Sequence, residues 1–86
     1  MEHHKKTWPD HFEDILRDRK RFDIRLADFD VREGNTIVFE EWDPEKNAYT
    51  GRTITKKISY FVKTKELIYW SEEEIQRYGY QIMQLE

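Results

Sequence analysis

Residues 18–25 read Asp18-Arg19-Lys20-Arg21-Phe22-Asp23-Ile24-Arg25 and concentrate more potential chemistry than any other stretch of the chain. A lysine that is desolvated or crowded by cations loses proton affinity and becomes a nucleophile or a base. Arg17, Arg21 and Arg25 could crowd Lys20 in this way. Asp23 works in the opposite direction, because a nearby carboxylate stabilises the protonated ammonium. The same cations could instead hold a phosphate. The plainest alternative is a surface ion pair of Asp23 with Lys20 or Arg25, contributing about 0 to 1 kcal/mol.

Nucleic-acid binding requires cations for phosphates and aromatic faces for unstacked bases, each stacked base contributing about 1 to 3 kcal/mol. Lys20, Arg21, Arg25 and Arg52 are the candidate phosphate contacts, with Lys56 and Lys57 outside them. Trp42, Tyr49, Tyr69 and Trp70 are the candidate stacking groups. Core packing is the commoner fate of aromatics in a small domain, and it is the competing reading for Trp42 and Trp70. Tyr49 lies beside a turn and is better placed for exposure.

The net charge of -3 conceals an uneven distribution. Residues 28–50 are predominantly acidic, whereas residues 51–65 carry Arg52, Lys56, Lys57, Lys63 and Lys65 with no acid. A locally positive face suffices for nucleic acid, so the overall acidity does not exclude it. Other chemistries find little support. There is no cysteine, which removes disulfides and thiolate zinc sites. His3, His4 and His11 have no partner at a recognised ligand spacing, so no metal or other cofactor is expected. No glycine-rich phosphate loop exists, and neither Ser59 nor Ser71 sits in a nucleophile motif.

The elements that must position these residues belong to one domain spanning 1–86, since a chain of this length supports a single modest core. An aromatic content of 15% argues against disorder despite 38% charged residues. Met1 to Lys6 reads either as a frayed end or as a short edge strand. Pro9 opens a helix to about Arg17, with Trp8, Phe12, Ile15 and Leu16 on one stripe. Phe22, Ile24 and Leu26 alternate with Asp23 and Arg25, which predicts a strand with its apolar residues pointing one way and its charges the other, on a polar surface.

Gly34 fits a turn, Thr36 to Trp42 a strand, and Asp43-Pro44-Glu45-Lys46-Asn47 the turn of a hairpin whose return strand is Arg52 to Val62. Ser71 with Glu74 forms a capping-box pattern for a helix over Glu72 to Arg77, where the acid run suits the helix start. Gly79 ends that helix and Tyr80 to Leu85 reads as a last strand. The class is α+β. The expected architecture is a small curled sheet or barrel with a helix across one opening.

The sequence Asp18 to Arg25 resembles the G-x-K-x-x-E-x-R signature of ASCH domains, which belong to the PUA-like superfamily. Its lysine and arginine are Lys20 and Arg25; Asp18 replaces the glycine and Asp23 the glutamate. Trp8-Pro9 with Phe12, Asp28 with Asp30 and Gly34, Glu41-Trp42-Asp43, Tyr49-Thr50-Gly51-Arg52 and Gly79-Tyr80 resemble further family motifs in the same order. The likeness is to a small bacterial and phage branch.

The resemblance implies a PUA-like mixed β-barrel of about five strands with a main helix and a short C-terminal helix. It also implies a basic cleft binding RNA or a nucleotide-like ligand through Lys20, Arg21, Arg25, Tyr49, Arg52 and Trp70. Some ASCH proteins are amidohydrolases on acylated cytidine nucleosides, which would make Lys20 and Asp23 catalytic; the family's threonine falls at Asp23 here. A protein-interaction module using a sheet edge is a third reading. With no leader segment or long apolar run, the chain is expected to be a cytoplasmic monomer without membrane contact.

Overall fold

A computed structural model describes all of residues 1–86 and contains a three-stranded sheet with one helix packed on it. Strand β1 covers Glu2–Thr7, helix α1 Pro9–Leu16, strand β2 Thr36–Asp43 and strand β3 Ala48–Lys57. A single 3-10 turn at Thr64–Glu66 and helix α2, Glu72–Tyr78, complete the regular structure. The strands lie in the order β1-β2-β3. β1 runs parallel to β2, with His4 opposite Val38, so α1 and the loop after it form the crossover that parallel pairing requires.

The hairpin forms where the turn residues predict it. Asp43 accepts backbone N–H bonds from Glu45 and Lys46, and Asn47 closes the turn at φ 51, a left-handed conformation that asparagine tolerates. β2 and β3 pair from Thr36↔Lys57 to Asp43↔Ala48, with an irregularity between Glu40 and Trp42. Four buried residues form the core: Phe12 and Ile15 from α1, Ile37 and Phe39 from β2. Ile54 and Ile58 pack against them from the side of β3. Gly34, at φ 94, takes the positive-φ conformation expected of it.

The open N-terminal alternative resolves to a strand. β1 contains no apolar residue, and its place depends on the backbone ladder to β2 and on side chains lying over aromatic rings. Lys5 sits 3.4 Å from the centre of the Phe29 ring and Lys6 3.9 Å from that of Trp42.

Two expected strands are absent. Residues 22–26 and 80–85 have no regular secondary structure, and no closed five-stranded barrel is present. The expected facing of the first segment is also reversed. Ile24 and Leu26 are 63% and 81% exposed, while the side chains of Asp23 and Arg25 are only 19% and 28% exposed. Arg25 explains the reversal by donating to the Lys6 carbonyl at 2.8 Å and to the Thr7 hydroxyl at 3.1 Å, which pins the charged phase of the segment against the end of β1. β3 also runs Ala48–Lys57 rather than Arg52 to Val62, starting directly after the turn and ending short of Val62. No helix is long and apolar enough to cross a membrane.

Candidate functional site

α1 closes with Asp18 at φ 59, in the left-handed region where the signature has glycine. Aspartate tolerates that conformation better than most residues, and here its carboxylate receives the Arg21 guanidinium at 2.6 Å. The Arg21 pair holds the Asp18 carboxyl below its ordinary range. The chain then reverses and carries residues 19–25 back across the junction between β1 and α1.

The reversal encloses a cleft of about 680 Å³. Lys20, Asp23 and Arg25 line it from the returning segment, Lys6 and Thr7 from β1, and His11 and Asp14 from α1. Trp8 and Phe22 provide aromatic surface, 49% and 36% exposed. Lys20 Nζ lies 3.2 Å from His11 Nδ1. A lysine ammonium only donates, so that ring nitrogen is the acceptor in this contact. Asp23 receives Arg25 Nε at 2.7 Å. Arg19 completes a lining of four Lys and Arg side chains against two carboxylates. The arrangement offers anion-holding groups beside aromatic faces.

The remaining sequence candidates lie elsewhere. Arg21 points away to Asp18 and does not line the cleft. Arg52 is held between Glu41, at 2.8 Å, and Glu13, at 2.7 Å, and covers the Phe12 ring at 4.8 Å. Glu41 is 5% exposed and also accepts from the Thr50 hydroxyl. Pairing with Arg52 holds the Glu41 and Glu13 carboxyls below their ordinary range and raises the guanidinium. Tyr49 is 53% exposed and meets Trp42 edge-on, ring centres 4.9 Å apart. Trp70 is half exposed, so it is not core; with Tyr80 it lines a second cleft of about 410 Å³ beside α2.

Sequence reading missed Trp8, Phe22, His11 and Lys6 as cleft residues. Trp8 belongs by spacing to the apolar stripe of α1, yet it is the residue before the first turn and stays half open. Its neighbour Pro9, which fixes the helix start, was the signal that could have placed it at the rim. No group of three or more metal-ligating side chains is assembled anywhere in the structure.

The chain belongs to the family described as Domain of unknown function (DUF3850), whose family model matches residues 2–84. No curated protein and no solved structure matches it.

Proposed function

We propose that this chain is a small RNA- or nucleotide-binding module whose binding site is the cleft under residues 19–25. The observation that supports this most is the shared lining: Arg19 and Lys20 beside the exposed rings of Trp8 and Phe22, with Arg25 engaged by Asp23, the Lys6 carbonyl and the Thr7 hydroxyl. Cations adjacent to open aromatic faces suit a phosphate next to an unstacked base. The resemblance to ASCH domains points the same way. Within the proposal, segments 22–26 and 80–85 correspond to the strands that would close a PUA-like barrel, and the chain acts as a cytoplasmic monomer. Arg52 has a structural part in it, since its Nε and one terminal nitrogen already donate to the carboxylates of Glu41 and Glu13.

Titrating short RNAs into the protein at low and high salt tests the proposal. Binding is expected at low salt, weakening as salt rises, and Lys20→Ala combined with Trp8→Ala is expected to abolish most of it. Absence of binding at low salt, or binding indifferent to both substitutions, sinks the idea.

A second reading, amidohydrolysis of N-acylated cytidine-type nucleosides, draws on the Lys20 to His11 contact, through which a proton could pass. Asp23 counts against it, because Arg25 already occupies its carboxylate. Incubation with acetylcytidine decides this reading: release of cytidine that disappears in Lys20→Ala supports it, and no release removes it.

A further inference from the structure

We infer that the ligand of the cleft is a single-stranded oligonucleotide rather than a mononucleotide, with a second base held at Tyr49 on the hairpin. This rests on the cleft reading above and adds a site outside it. Lys6 makes the connection, because it lines the cleft and also places its ammonium 3.9 Å from the centre of the Trp42 ring. Trp42 in turn braces Tyr49 edge-on across the β2–β3 pair, where the register sets the two residues opposite one another. Tyr49 is thereby fixed by a neighbour and still 53% exposed, which are the two requirements of a stacking platform.

The electrostatics give the path a direction. The hairpin turn carries Asp43 and Glu45 against the single Lys46, a net negative end that disfavours a phosphate beyond Tyr49. The phosphate between the two bases therefore lies at Lys6, and an uncharged base lies on the Tyr49 ring. A mononucleotide in the cleft reaches only the first half of this track.

Calorimetric titration of the full chain with adenosine monophosphate and with hexaadenylate, each at two salt concentrations, tests the inference. The hexamer is expected to bind about tenfold or more tightly than the monophosphate, and Tyr49→Ala to remove about tenfold of that advantage while Tyr49→Phe retains it. Lys6→Gln is expected to reduce the salt slope for the hexamer by about one phosphate contact. Equal affinities for the two ligands overturn the second subsite and leave the cleft reading standing, as does an advantage that survives both Tyr49→Ala and Lys6→Gln. Binding of neither ligand overturns both.

Discussion

Residues 1–57 and residues 58–86 share one chain but follow different rules of construction. Every buried residue lies in the first region, between Thr7 and Glu41. The second buries none, and it exposes Ile68, Tyr69, Tyr78 and Met83 by 72% or more. In the first region, order comes from non-local packing: α1 on β2, a parallel strand without apolar residues, and an arginine between two carboxylates. In the second it comes from local signals, of which the Ser71 and Glu74 capping box is the clearest, with Ser71 Oγ accepting from the Glu74 N–H at 3.2 Å. Secondary structure and burial are thus separable here. α2 forms because its ends are satisfied, whereas α1 forms because Phe12 and Ile15 have a sheet to cover.

The sharpest break in the comparison is Phe12→Ala. Phe12 is 1% exposed at the centre of a four-residue core, and its truncation is expected to cost about 3 to 5 kcal/mol, a large share of the stability of any small domain. Urea denaturation followed by tryptophan fluorescence measures the loss. A cost below about 1 kcal/mol would mean that the core does not hold the first region together.

Next comes Arg52→Ala, which leaves the buried Glu41 carboxylate with the Thr50 hydroxyl as its remaining side-chain partner. A loss on the order of 2 to 3 kcal/mol is expected from that uncompensated carboxylate. The pair also sets a pH dependence. The folded-state carboxyls of Glu41 and Glu13 titrate below their ordinary value of 4.5, so their contribution is complete above that value and disappears as pH falls through the lower, folded-state values. Melting temperatures of the parent chain and of Arg52→Ala should therefore converge on acidification below pH 4.5. A difference that persists unchanged in acid would assign the Arg52 effect to its packing on Phe12 instead.

The smallest effect is Ser71→Ala, expected to cost about 1 kcal/mol and only locally. Hydrogen exchange should speed up roughly fivefold for the α2 amides that bond back along the helix, such as Ile75 and Gly79, and remain unchanged in β2. Equal acceleration in the sheet would show that the two regions unfold as one.

The two regions do meet at the candidate site. Gln84 accepts from the Arg21 N–H and donates to the Arg19 carbonyl at 3.4 Å, so the C-terminal segment braces the returning segment that lines the cleft. Such a contact, 63 residues apart in the chain, leaves no trace in local pattern.

Much of the fold was legible in the residues. Pro9, the Asp43 to Asn47 turn, the capping box and Gly79 act through backbone geometry and hydrogen bonds within a few positions, so the elements they bound fall where those residues place them. Alternation in residues 22–26 marked out a segment without revealing its environment. Period two states which residues share a side, not which side meets the protein, and the Arg25 bonds to Lys6 and Thr7 turned the charged side inward.

The sequence by itself determined the α+β class, the hairpin, both helices and the importance of the stretch around Lys20, because propensity, turn chemistry and charge are properties of short segments. Only the tertiary structure decided that a wholly polar β1 pairs with β2 and that Trp8 and Phe22 stand beside Lys20. It also placed Arg52 in a carboxylate clamp. Those outcomes depend on partners distant in the chain, whose hydrogen bonds and desolvation exist only once the sheet and α1 have come together.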